Sequence, residues 1–168
     1  GYYGHYMYFP VLINEASSGY PLVLQLRRGN SHPGKGVATI LRWLFWRLKK
    51  AMPGVRIVLR GDAGFSLPEI MNVCERSEVK YALGFSSNAV LKRKINYLLD
   101  QARLQYFRTG EKARLFDDVY YAAGTWSEPR RVSMKAEWLE KGANPRFVVT
   151  NLETEAQELY DDFYVQRG

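Results

Sequence analysis

The sequence is poor in the residues that do covalent and metal chemistry. It holds one cysteine, Cys74, and two histidines, His5 and His32. A lone cysteine cannot close an internal disulfide, and no Cys/His cluster is spaced to hold zinc. A reducing, cytoplasmic setting is therefore expected. Two scattered histidines also give no support to a nucleophile triad. His5 reads as packing in an aromatic strand, His32 as a hydrogen-bonding group in a loop, and Cys74 as core. No apolar run reaches the roughly 18–20 residues that cross a bilayer. The longest, 37–46, is broken by Thr39 and Arg42. The start, GYYGHYMYFPV, lacks the basic residues and small-residue cleavage site of a secretory leader, so neither a membrane span nor a leader is expected. Residues 29–36 contain glycines but match neither a P-loop nor a dinucleotide fingerprint. The sequence opens at Gly1 rather than Met, and the expectation is a piece of something longer.

The most telling shortage is of acid. Between Glu15 and Asp62 there is no Asp or Glu, while Arg27, Arg28, Lys35, Arg42, Arg47, Lys49, Lys50, Arg56 and Arg60 all fall there. A second basic stretch runs over 92–114 and begins with Lys92, Arg93 and Lys94; residues 153–162 are acidic. The net charge is +7. Segregation of this kind suits a surface that meets a polyanion. Charge alone leaves a nucleic-acid surface and a merely solvated basic face as equal alternatives.

What is present has the periodicity of an α/β protein. Residues 6–14 are β-branched and aromatic and read as a strand, with Pro10 marking a missing ladder bond or a bulge. After the turn 17–19, residues 22–28 alternate Leu22, Leu24, Leu26 against Val23, Gln25, Arg27, and the two strands read as a hairpin. A loop over 28–34 leads to a helix over 35–52 with Val37, Ile40, Leu41, Leu44, Leu48 and Met52 on one stripe, stopped by Pro53-Gly54. Trp43 and Trp46 in that helix read as core or helix–helix packing. Residues 55–59 form a short, nearly all-apolar strand, the pattern of a parallel strand buried on both faces. Ser66-Leu67-Pro68-Glu69 reads as a capping box opening a helix that ends near Arg76. A strand over 79–85, a basic helix over 89–107, and strands over 114–123, 130–138 and 146–150 follow. The end, 153–167, reads as a helix with Asn151 as N-cap and Ala156, Leu159, Tyr160 and Phe163 inward.

Asp62 is the sharpest chemical feature. It follows a short strand and precedes a helix, the place where open α/β sheets hold ligands. A carboxylate there can bind Mg²⁺ with further acidic partners, or can cap a local turn through nearby amides. Position alone favours the turn. The tripeptide Arg60-Gly61-Asp62 lies in an expected buried strand end and is discounted as an adhesion motif. The pairs Asp117-Asp118 and Asp161-Asp162 read as solvated rather than catalytic.

Three separated stretches carry a resemblance: RIVLRGDAGF (56–65), KGANPRFVVT (141–150) and YDDFYVQRG (160–168). Together they resemble the DDE transposases of bacterial insertion sequences, the IS1380-type group within the IS4-like set. The resemblance implies a ribonuclease-H-like mixed sheet with helices, plus a β-rich insertion and a C-terminal helix. It divides the chain into a partial core (1–87), a helix with the β-rich insertion (88–151) and the start of the last helix (152–168). It implies three carboxylates holding two Mg²⁺ (or Mn²⁺) ions for in-line attack on a phosphodiester. Asp62 matches the second acid. Tyr164 and Arg167 match the Tyr and Arg of a Tyr-x2-Arg-x3-Glu pattern and would contact phosphate. The first acid is expected upstream of Gly1 and the Glu beyond Gly168, so this chain is expected to be an inactive fragment.

The implied partner is DNA, both transposon ends and target, with Arg42, Lys49, Lys50, Lys92, Arg93 and Lys94 facing phosphates. The resemblance also allows a homodimer of the full-length protein and implies no membrane partner. The alternatives are a non-catalytic basic nucleic-acid-binding remnant and a protein-interaction domain. One architectural expectation follows. The first, central strand is absent, so the strands at 6–14 and 55–59 should either flank a slot or pair antiparallel. Their lying in different sheets, or pairing in parallel, would count against the fold.

Overall fold

The computed structural model describes residues 7–165. A hairpin of β1 (Val11–Asn14) and β2 (Pro21–Gln25) opens the chain, antiparallel as expected. Helix α1 (Val37–Ala51) follows. Then come β3 (Val58–Gly61), a short 3-10 turn (Ala63–Phe65), α2 (Pro68–Arg76), β4 (Lys80–Phe85) and the long α3 (Ala89–Thr109). The chain ends with β5 (Ala113–Tyr121), β6 (Arg130–Leu139), the two-residue β7 (Gly142–Ala143), β8 (Arg146–Thr150), one turn α4 (Ala156–Glu158) and a π-helical turn (Leu159–Tyr164).

The main sheet has the order β3-β4-β8-β6-β5, with β7 on β6. β3 and β4 are parallel, and β4–β8, β8–β6 and β6–β5 are antiparallel. The late strands thus belong to the same sheet as β3 and β4. Period-2 alternation sorts their side chains to two faces. Tyr81, Leu83, Val132, Met134, Phe147 and Val149 pack with the inward residues of α1, α2 and α3 in one core. Ala82 and Val148 point the other way and pack with Leu159 and Tyr164. The architecture is a mixed α/β fold of the ribonuclease-H-like kind.

α3 forms where the sequence asks for it. Asn88 Oδ1 accepts from the Val90 and Leu91 amides, both at 3.0 Å, satisfying two donors that have no partner inside the helix. Gly110, at φ 73°, closes the other end. The caps of α2 and α4 differ from expectation. The Ser66 hydroxyl donates to the Ala63 carbonyl at 2.9 Å, and Leu67 stands at the N-cap position without a side-chain bond. The 3-10 turn before α2 uses the serine, so no capping box forms. Asn151 is not a cap either. β8 lies beside β4, so Asn151 accepts from the Tyr81 amide (2.8 Å) and donates to the Val79 carbonyl (3.1 Å). The end of the chain is only briefly α-helical. The Val165 amide donates to the Tyr160 carbonyl at 2.9 Å, an i→i+5 bond. This wider turn buries Leu159 and Tyr164 together, while Tyr160 and Phe163 are half-buried.

β3 begins three residues later than expected and is not buried on both faces; Val58 is exposed. The cause is its place at the edge of the sheet, bonded to β4 alone. β1 and β3 lie in different hydrogen-bonded sheets, which taken alone counts against the expected architecture. What separates them is the slot that was the other expectation. A cleft of about 710 Å³ lies between them, lined by Val11, Ile13, Ile57 and Leu59 on its walls and by Leu41, Phe45, Ile70 and Leu83 from α1, α2 and β4. No ladder can form across it.

Candidate functional site

Asp62 stands at the carboxyl end of β3, exposed to solvent. It caps the 3-10 turn, and its Oδ1 accepts from the Gly64 amide at 2.8 Å. The local-turn role is therefore present. Two glycines bring other elements close. A Cβ on Gly64 would meet Pro33 at 2.8 Å, so the loop before α1 packs against the Asp62 turn. A Cβ on Gly84, near the end of β4, would collide with the Tyr164 hydroxyl and lie 3.0 Å from the Ala63 nitrogen. The missing side chain at Gly84 thus leaves room for the Tyr164 hydroxyl on the side of β4 that meets the Asp62–Ala63 backbone. Arg60 adds a tie, since its guanidinium donates to the Phe163 carbonyl at 3.1 Å. Sequence reading placed Asp62 and Tyr164 in one site but missed Arg60 and Gly84. The available signal was Arg60 two residues before Asp62, on the same side of the strand.

The basic residues divide. Lys92, Arg93 and Lys94 are exposed on the first turns of α3. That helix starts just after the end of β4, so these cations stand at the same end of the sheet as Asp62. Arg42 and Lys50 are exposed on α1. Lys49, next to Arg42 around the helix, donates to the Ser77 carbonyl at 2.6 Å and stands 3.8 Å from Glu78. Arg167 lies outside the described residues, as does His5. His32 Nδ1 accepts from the Gly34 amide at 3.2 Å, as a loop group. Cys74 is fully buried, and burial pushes its thiol up to about 12. Trp43 and Trp46 contradict expectation: they are 52% and 58% exposed, because both fall on the helix face turned from the core.

Asp117, Asp118 and Asp161 are partnered rather than simply solvated, while Asp162 is exposed as expected. Asp161 takes a bidentate bond from Arg114 (3.0 and 3.2 Å), Asp118 takes one from Arg131 (2.7 Å), and Asp117 accepts from the Tyr97 hydroxyl. Two buried ionic groups were not foreseen. Glu75 accepts from Arg130 at 2.7 and 2.8 Å and from the Tyr81 hydroxyl at 2.7 Å. Burial raises the Glu75 carboxyl, and the bonds from Arg130 and Tyr81 outweigh it, holding the group below its ordinary value. On the other sheet face Glu137 accepts from Lys135 (2.9 Å) and Asn144 (2.6 Å). Its carboxyl too is held low, burial being overcome by those bonds. The carboxylates of both arrangements are bonded within the protein, while Arg130 Nη1 is buried without a hydrogen-bond partner among the described residues.

A divalent-ion centre needs several carboxylates in one place. Among the described residues no group of three or more His, Cys, Asp or Glu side chains could hold a metal ion. Asp62 brings one exposed carboxylate, with one oxygen already bonded to Gly64. The residues present do not fit a two-ion centre. Among the described residues, too, no helix is long and apolar enough to cross a membrane.

A ribonuclease-H-like sheet thus carries an exposed aspartate at the carboxyl end of an edge strand, the Tyr164 hydroxyl beside Gly84 of the neighbouring strand, and exposed cations at the start of α3. The family model described as transposase DDE domain group 1 matches residues 1–168, and the chain belongs to that family. No curated protein matches the sequence.

Proposed function

We propose that the chain is part of the catalytic domain of a bacterial insertion-sequence transposase of the IS1380-type group, acting on DNA in the cytoplasm. In this reading Asp62 is one carboxylate of the catalytic set. Tyr164 positions phosphate beside it, and Arg167 extends that contact. The other acids lie outside residues 7–165, and the cleft between β1 and β3 takes the strand that carries one of them. The observation that carries this is the convergence of Asp62, Gly84 and Tyr164 at the end of β3 and β4. The exposed cations Lys92, Arg93, Lys94, Arg42 and Lys50 support a DNA-facing surface. Lys49, bonded to Ser77, contributes less.

On this reading the 168-residue chain binds DNA without cleaving it. Magnesium demands near-octahedral oxygen coordination and gives up water reluctantly, and one exposed carboxylate cannot hold two mutually repelling ions. The expected result with supercoiled DNA and Mg²⁺ or Mn²⁺ is no nicking. Asp62→Ala should leave DNA affinity unchanged or slightly raised. Nicking by the chain that vanishes in Asp62→Ala would overturn the inactivity. Binding should be sequence-independent and fall steeply with salt through counterion release. Affinity that stays level as salt rises would remove the DNA reading.

A further inference from the structure

Helix α1 displays two tryptophans, Trp43 and Trp46, that are more than half exposed among the described residues. At 3.6 residues per turn, Thr39, Arg42, Trp43, Trp46, Arg47 and Lys50 fall within about 140° of the helix circumference. Val37, Leu41, Leu44 and Phe45 occupy the opposite side and are buried. The exposed face is ordered as ring and cation pairs: the Arg47 guanidinium lies 5.1 Å from the Trp43 ring centroid, and the Lys50 ammonium lies 5.1 Å from that of Trp46. Arg42 adjoins both. No acidic residue occurs in the sequence from Ala16 to Gly61. Glu78 stands 3.8 Å from Lys49, at the flank of this face next to Arg42.

We propose that this face is a stacking platform for single-stranded DNA. Indole rings stack on any base with little regard to sequence, while neighbouring cations follow the phosphates. A duplex presents its phosphates but hides the faces of its bases, so it engages the cations and leaves the indoles unused. An acidic protein partner would also meet the cations, but has no need of two rings each flanked by a positive charge. The position suits a strand leading to Asp62. α1 starts after the loop that packs on Gly64, and Trp43 and Trp46 lie about 9 and 14 Å along the axis from Val37, at 1.5 Å per residue.

The inference rests on the DNA reading above and adds the form of DNA bound, so the test separates the two. Binding of an oligo(dT) strand and of a mixed-sequence duplex of equal length is measured by fluorescence anisotropy for the 168-residue chain and for the Trp43→Ala/Trp46→Ala variant, with circular dichroism confirming that these surface changes keep the fold. The expected result is at least about a tenfold loss of oligo(dT) affinity, with duplex affinity little changed. Oligo(dT) should also quench the tryptophan fluorescence of the unaltered chain. Trp43→Phe/Trp46→Phe should restore much of the lost affinity, since an aromatic face is kept. Equal oligo(dT) affinity in both proteins, with duplex still bound, overturns the platform and leaves the DNA reading standing. No binding of either DNA by the unaltered chain overturns both. An oligomer that becomes monomeric in the variant, with oligo(dT) affinity unchanged, assigns the face to a second copy of the chain and also overturns the platform.

Discussion

The hairpin and the centre of the sheet carry apolar patterns of the same period and bury them to opposite degrees. Leu22, Leu24 and Leu26 alternate along the hairpin and are 39%, 68% and 63% exposed; Val132, Met134 and Ala136 alternate along β6 and are 2% exposed or less. The register explains it. Leu24 pairs with Leu12 on the outer face of the hairpin, and no element lies over that face among the described residues. β6 has β5 and β8 on its flanks, α3 on one face and α4 with the π turn on the other. Alternation decides which side chains share a face, and the number of layers decides whether that face leaves water. The two regions also differ at their edges. The central strands are bonded on both sides, whereas β3 faces the apolar cleft.

The comparison can be tested at several strengths. The largest effect is expected at the centre of the buried network. Arg130→Ala removes a guanidinium that is 4% exposed, leaves Asn72 without that donor and leaves Glu75 with the Tyr81 hydroxyl but no countercharge. Losing one partner of a buried pair costs about 3–5 kcal/mol, readable as a fall in the urea midpoint. The network also fixes a pH dependence. The folded Glu75 carboxyl lies below its ordinary 4.5. Its contribution is therefore complete above pH 4.5 and is lost as acid protonates it below that. Tm should drop more steeply with acid in the natural chain than in Arg130→Ala; equal slopes would assign the acid sensitivity elsewhere.

Next in size is the direct contrast between regions. Met134→Ala should cost about 2–5 kcal/mol through lost burial and a cavity, while Leu24→Ala on the open face should stay within about 0.5 kcal/mol. Similar losses at both positions would mean that the hairpin face is covered in solution. A smaller effect is expected at the candidate site. Gly84→Ala forces a methyl against the Tyr164 hydroxyl and the Ala63 nitrogen, and overpacking of that kind costs about 1–3 kcal/mol. It should also detach the π turn, seen as faster amide exchange at Val165. Unchanged exchange would show that Tyr164 does not depend on the glycine. Within the candidate site the smaller change in stability is expected for Asp62→Ala. It removes one turn bond at an exposed position, worth about 1 kcal/mol, and should leave the urea slope unaltered.

Much of the candidate site was legible because its signals are local. Asp62 follows a strand and precedes a helix within a few residues, and the resemblance rested on contiguous stretches such as RIVLRGDAGF (56–65). Gly84 and Arg60 were not legible in their roles, since each acts on a residue of the last turn, far along the chain. Trp43 and Trp46 were misplaced for a related reason. A large aromatic in an amphipathic helix is most often buried, and the helical phase that sets these two opposite Leu41 and Phe45 was outweighed by residue type.

Periodicity by itself determined the hairpin, the three long helices and the late strands, and the helix expected over 89–107 matches α3 to within two residues. These are properties of short segments, settled by backbone geometry and by hydrogen-bond partners a few residues away. Only the tertiary structure decided that β8 enters the sheet between β4 and β6, which turned Asn151 from an expected cap into a bridge to Tyr81 and Val79. It also decided that β3 is an edge, that a cleft separates it from β1, and that the chain ends in a π turn carrying Tyr164 to Gly84. Each of these depends on which distant segments lie side by side, and residue spacing within one segment carries no information about its neighbours in space.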